Sequence, residues 1–241
     1  IHTGVVVDFG WSNLRVVPVL EGHPLRHSIK MLNLGGYELT NILEKNMESN
    51  GKTVRTFLDP KPSDGFGDFF SHPRILAPSS SQIDFCRRGV IIDMIKSLLK
   101  FKTQPDPTET IADYVYYMPG REPVEIQDEI EVLSAQFWED SEDQLSLQSL
   151  INSSISSLPY ELQNNMWSNI VTCGGLSKLH GFNEMLESKL KILAPKGTKP
   201  KVIEPPSPEA SSSFSVWVGG SIVASYEKFS DLCITSSEWS E

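Results

Sequence analysis

F-S-V-W-V-G-G-S-I-V-A-S, residues 214–225, is the stretch that decides the fold of this 241-residue chain. It leads into Glu227, Lys228 and Phe229 and a polar close at Glu238, Trp239 and Glu241. A glycine pair such as Gly219-Gly220 marks by itself no more than a tight turn or a close backbone approach. Here it comes with Trp217, Ser221, Ile222, Ala224, Ser225 and Phe229 at fixed offsets. Working outward, a second pair, Gly174-Gly175, closes N-I-V-T-C-G-G at residues 169–175, and Gly181 follows in the same loop. The opening T-G-V-V-V-D-F-G, residues 3–10, ends an apolar run on Asp8 and Gly10, ahead of Val17-Pro18-Val19 and Glu21-Gly22. Leu34, Gly35, Gly36, Leu39 and Thr40 form a further group, and residues 117–120 and 125–137 complete the set.

In chain order these stretches resemble the actin and actin-related protein family over nearly the whole chain, with residues 50–115 the part that lacks clear support. The resemblance implies an α/β fold of the actin-like ATPase class, shared with Hsp70 and sugar kinases and ribonuclease H-like in its core. It also implies that the sequence is the second half of that duplicated fold plus the C-terminal segment, a partial chain whose first phosphate hairpin and water-positioning polar residue lie elsewhere. Residues 1–34 would begin the third subdomain and 35–140 form the fourth, with a long loop at 59–88. Residues 141–213 would complete the third, and 214–241 return to the first. At the C-terminal end the family pattern implies a strand ending at Trp217, a turn at Gly219-Gly220 and then a helix. That helix would line a partner groove with Val223, Tyr226 and Phe229, Lys228 at its rim and Ile222 toward the core.

The same resemblance implies ATP or ADP with Mg2+ as cofactor. Asp8 would face the metal through water. Gly10, Gly36, Gly174 and Gly175 would let backbone approach the nucleotide, because oriented amides form an anion-binding concavity. Departures from the family pattern are specific. Trp11 and Ser12 stand where actins have a second acidic residue and another glycine, so a bulky ring replaces a carboxylate beside the metal, which opposes hydrolysis. On the adenine side, Leu179 stands at an aromatic position and Ser213 at a lysine, while the family's Lys-Glu pair near the ribose has no clear counterpart, Lys96 and Ser97 keeping at most its Lys.

Composition supports a packed domain, since 39% apolar residues over this length can bury a real core. A net charge of -10 argues against a direct nucleic-acid face, which needs clustered Lys and Arg. No apolar run approaches the length of a membrane span. Cys86, Cys173 and Cys233 show no metal-ligand spacing and are odd in number, as expected of reduced thiols. The histidines are scattered, and the acidic run from Glu139 to Asp143 reads as solvated loop charge.

Periodicity predicts alternating strands and helices. Val5 to Val7 and Leu14 to Leu20 are apolar runs that predict a hairpin across residues 9–13. Leu39, Ile42, Leu43 and Met47 share one helical face, closed by Asn50-Gly51. Further helical stripes begin at Val90, at Leu147 ahead of Pro159, and at Phe182. Two Pro/Ser-rich segments, 59–88 and 196–213, are expected to be a mobile loop and a linker, with Phe66, Phe69 and Phe70 anchoring the loop against a neighbour.

The function implied by the resemblance is that of a structural, non-polymerising actin-related subunit in a multiprotein assembly. Its partners would be other protein subunits, among them actin or another actin-related protein, in a chromatin remodeller, a dynactin-like complex or a cytoskeletal or ciliary complex, and its location the cytoplasm, cytoskeleton or nucleus. The alternative is a conventional ATP-hydrolysing, filament-forming actin-like protein. A sugar-kinase or Hsp70-like ATPase is opposed by the W-V-G-G-S-I tail, since superfold membership alone does not fix function.

Overall fold

A computed structural model describes residues 2–56, 58–59, 78–103, 110–118, 122–142, 144–203 and 213–240. Strand β1 (Gly4–Phe9) and β2 (Leu14–Leu20) form the hairpin, and the short β3 (His23–Pro24) and β4 (Lys30–Leu32) both pair with β2. Helices α1 (Gly36–Ser49) and α2 (Ser80–Leu98) precede a separate two-stranded ribbon of β5 (Val115–Tyr116) and β6 (Val124–Glu125). Then come α3 (Gln127–Trp138), α4 (Leu147–Ser156), α5 (Tyr160–Ser168), β7 (Ile170–Gly174), α6 (Phe182–Leu193) and β8 (Val202–Ile203). Helix α7 (Ser215–Ala224) and the short α8 (Ser236–Trp239) complete the described chain.

The main sheet runs β3-β2-β1-β7-β8, antiparallel across the hairpin and parallel from β1 to β7 and from β7 to β8. The parallel pairing follows from sequence separation. A crossover of helices joins β1 to β7, and only such a connection can return a strand in the same direction. Val5, Val7 and Phe9 alternate onto one buried face of β1, as the two-residue period of a strand requires. Phe9 meets Phe182 of α6 edge to face at 4.9 Å, and Phe182 in turn meets Phe101 at 5.2 Å and Phe137 at 5.7 Å. This aromatic cluster locks the C-terminal end of β1 against α3 and α6, and it fixes the position of everything that follows Phe9.

Helix α1 has the predicted stripe, with Leu39, Leu43 and Met47 fully buried and Ile42 packed against the core. Each such side chain contributes about 2 kcal/mol by leaving water. Beyond its end, Asn50 and Lys52 donate to the buried carboxylate of Glu129 on α3 at 2.7 and 2.8 Å. A buried charge is tolerated only when paired and hydrogen-bonded, and these two donors meet that condition.

Three expectations need correction. Helix α2 starts at Ser80, inside the loop expected over 59–88, because Ser79 and Gln82 form a reciprocal capping box: the Gln82 amide donates to Ser79 Oγ at 3.3 Å and the Ser79 amide to Gln82 Oε1 at 2.8 Å. The proposed anchors Phe66, Phe69 and Phe70 lie outside the described residues. The linker expected over 196–213 contributes β8, since the Lys201 amide donates to the Trp167 carbonyl and the Ile170 amide to the Lys201 carbonyl, each at 3.0 Å. Finally, the expected strand, glycine turn and helix at 214–225 is one helix, α7, with Gly219 and Gly220 inside it. Two interior glycines cost about 1 kcal/mol each relative to alanine, which this short helix sustains without breaking.

Candidate functional site: a glycine-lined cradle at the ends of β1 and β7

The hairpin between β1 and β2 is built by backbone bonds. Gly10 N–H donates to the Asn13 carbonyl at 3.0 Å and closes the turn. Gly36 N–H then donates to the Gly10 carbonyl at 3.2 Å, and Tyr37 N–H to the Trp11 carbonyl at 2.8 Å. Two of the first amides of α1, which a helix leaves without internal partners, are therefore satisfied by the hairpin. The Gly10 and Gly36 amides are thus engaged within the protein. The spacing is close: a Cβ at Gly36 would stand 2.8 Å from Cε3 of the Trp11 ring.

On the other side, β1 and β7 end together, with Asp8 beside Cys173 and Phe9 beside Gly174 in parallel register. Gly174 has φ +91° and lies directly against the Phe9 backbone, a conformation and a proximity that only glycine allows. Gly175 follows with open space beside it.

Between these two turns lies a cavity of about 370 Å³. The hairpin contributes Phe9, Gly10 and Trp11, and α1 contributes Gly36, Leu39 and Thr40. From α2 come Ile92, Ile95 and Lys96, and from the turn after β7 come Gly175, Leu176 and Leu179. Gly10, Gly36 and Gly175, expected at the nucleotide, are thus brought together around one space, with Lys96 and Leu179 on its wall. Asp8 and Gly174 are adjacent to it but do not line it. Asp8 Oδ1 instead accepts from the Cys173 thiol at 3.6 Å. Burial first, then the Asp8 charge and this hydrogen bond, push the Cys173 thiol up to about 12, so it stays protonated at neutral pH. It is a donor and no nucleophile.

Trp11 sits at the mouth, 48% exposed. Its ring stands edge to face with Tyr37 at 6.1 Å, and the Arg88 guanidinium lies 4.7 Å from the centre of the Tyr37 ring. This ring and cation stack on the rim was not anticipated from sequence, because Tyr37 and Arg88 approach each other only once α1 and α2 have packed. Lys96 is exposed and has no hydrogen-bond or ion-pair partner among the described residues.

The residues on this wall do not fit a divalent metal. The side chains lining the cavity carry no carboxylate, and among the described residues no cluster of three His, Cys, Asp or Glu could hold a metal ion. Mg2+ is ordinarily held through one or two carboxylates plus phosphate oxygens and water.

At the C-terminal end, Val223, Tyr226 and Phe229 are exposed, but they do not share one helix. Helix α7 ends at Ala224, Tyr226 lies in the turn beyond, and Phe229 opens a short 3-10 turn. Ile222, expected toward the core, is 53% exposed.

The family model for actin matches residues 2–241 of the chain. The chain therefore belongs to the actin family, and its mixed sheet flanked by helices is the actin-like α/β fold. Members of this family generally bind a nucleotide and work with other proteins. No described helix is long and apolar enough to cross a membrane.

Proposed function

We propose that this chain serves as a structural, non-polymerising actin-related subunit of a multiprotein assembly, holding a nucleotide statically. The observation that carries the reading is Trp11. Its ring occupies the mouth of the cradle, packed over Gly36 and against Tyr37, where actins have an acidic residue. A hydrolytic site must activate a water and stabilise developing charge, and an indole, a donor with no acceptor and no charge, can neither act as the base nor hold a metal as a carboxylate does. The cradle itself remains shaped for close approach of a ligand, through Gly10, Gly36 and Gly175. Retained shape with altered chemistry suits a nucleotide that stabilises the fold by binding the native state.

The partners are other protein subunits, among them actin or another actin-related protein, in a chromatin-remodelling, dynactin-like or other cytoskeletal or ciliary complex in the cytoplasm or nucleus. The exposed apolar surface of α7 and the residues after it supports docking against protein, with Trp217 74% and Tyr226 62% exposed. Gentle affinity purification of the native protein tests this. Recovery of a fixed set of other subunits at constant stoichiometry is expected. Sedimentation of the purified protein as a homopolymer on addition of ATP would overturn the structural reading.

A further inference from the structure

Asn50 and Gly51, which close α1, are the only Asn-Gly pair in the chain. Such a pair is reactive by its own chemistry, because glycine has no Cβ to shield the amide nitrogen that follows the asparagine. The Gly51 nitrogen bonds to Asn50 Cγ and gives up its proton to solvent. The Cγ–Nδ2 bond breaks, and the side-chain nitrogen leaves as ammonia. Water then opens the cyclic imide at either carbonyl, leaving an aspartate or an isoaspartate. Water is the sole co-reactant, and nothing is oxidised or reduced.

In the folded chain both reacting groups are engaged elsewhere. Gly51 N–H donates to the Glu48 carbonyl at 3.0 Å, and Asn50 Nδ2 donates to Glu129 Oε1 at 2.7 Å. Asn50 stands at φ -88° and ψ 10°. Closing the ring needs rotation about that ψ, which carries the Gly51 amide off the Glu48 carbonyl. The side-chain amide must also turn its face to the incoming nitrogen, away from its bond to Glu129. Glu129 is anchored, being 1% exposed and bonded to Lys52 as well. The product would meet that same anchor with the wrong charge. An aspartate at position 50 has no N–H to donate and would face a buried carboxylate, with the Lys52 ammonium, 2.8 Å from Glu129, to offset both. An isoaspartate would lengthen the backbone by one carbon immediately before Gly51, whose φ is +71°.

We propose that Asn50 is a site of spontaneous deamidation, held unreacted in the folded protein by its contact with Glu129 and exposed to reaction whenever the end of α1 opens. The product is rejected by Glu129, so reaction marks opened chains and hinders their return to the fold. Two independent observations carry this: the Asn-Gly chemistry of the pair, and a buried carboxylate that accepts from the amide the reaction destroys.

The full protein is incubated at one neutral pH and temperature with and without urea. The tryptic peptide of residues 46–52 is then followed by mass spectrometry, which separates aspartate and isoaspartate from the parent amide. Asn46, followed by Met47, is the internal control. Deamidation at Asn50 should be about tenfold or more faster in urea, the opening cost of one hydrogen bond to a charged group, and should outrun Asn46 there. Asn50→Asp should lower the urea midpoint, and by about half as much or less when Glu129→Gln is also present, since the amide can donate to the new carboxylate. Equal rates at Asn50 with and without urea would overturn the protection by the fold. A rate at Asn50 no greater than at Asn46 in urea would overturn the site itself. An equal midpoint loss in both backgrounds, or none in either, would overturn rejection by Glu129.

Discussion

Glu129 and Gly174 show how single residues hold the cradle in place. The Glu129 carboxylate is buried, which raises its pKa, yet the hydrogen bonds from Asn50 and Lys52 outweigh that cost and leave it below the ordinary glutamate value. A depressed carboxylate stabilises the fold above its unfolded pKa and loses that contribution as the pH falls through the folded value. Glu129→Ala should cost about 3 kcal/mol in urea unfolding at pH 7, by leaving Lys52 and Asn50 without their acceptor. The stability gap between wild type and Glu129→Gln should narrow as the pH is lowered below about 4, and a gap that stays constant would show that the ionised form is not what stabilises. At Gly174, any side chain would meet the Phe9 backbone at a φ of +91°. Gly174→Ala should destabilise by about 2 kcal/mol or more, measured as a lowered denaturation midpoint, and should weaken ligand binding through displacement of Gly175.

At the scale of elements, α1 and the C-terminal segment mark the limits of what the sequence reveals. The stripe Leu39, Leu43 and Met47, the stop at Asn50-Gly51 and the hairpin of β1 with β2 are set by local pattern and could be predicted from it. The start of α2 is hidden in the sequence because Pro and Ser content over 59–88 masks the Ser79 and Gln82 cap. Helix α5 is hidden in the sequence because Pro159, which reads as the stop of α4, is also the N-cap of the helix that follows. Helix α7 departs from the expected turn because a glycine pair permits a turn without requiring one, and neither Gly219 nor Gly220 takes a positive φ or is approached by another group. The exposed segment after α7 yields a prediction of its own. Tyr226→Asp should change stability by no more than about 0.5 kcal/mol, since Tyr226 is 62% exposed, and should reduce recovery of partner subunits in affinity purification. An unfolded variant, or undiminished partner recovery, would remove Tyr226 from the docking surface.

At the scale of the whole molecule, part of the family pattern is legible because its glycines serve backbone geometry: Gly35 against the Trp11 and Ser12 backbone and Gly174 against the Phe9 backbone are positions where the fold itself demands glycine. Chemistry at the cradle was legible only in part. Sequence placed Asp8 and Gly10 in one hairpin, but the turn of Asp8 toward Cys173 and the meeting of Trp11, Tyr37 and Arg88 depend on contacts between distant segments. The central claim is that the cradle holds a nucleotide and does not turn it over. It is tested most directly by following phosphate release from ATP with the full protein at saturating nucleotide. The account predicts bound ATP recovered intact and no release above the buffer rate. Steady phosphate release at the rate of a polymerising actin, abolished by Asp8→Ala, would contradict it.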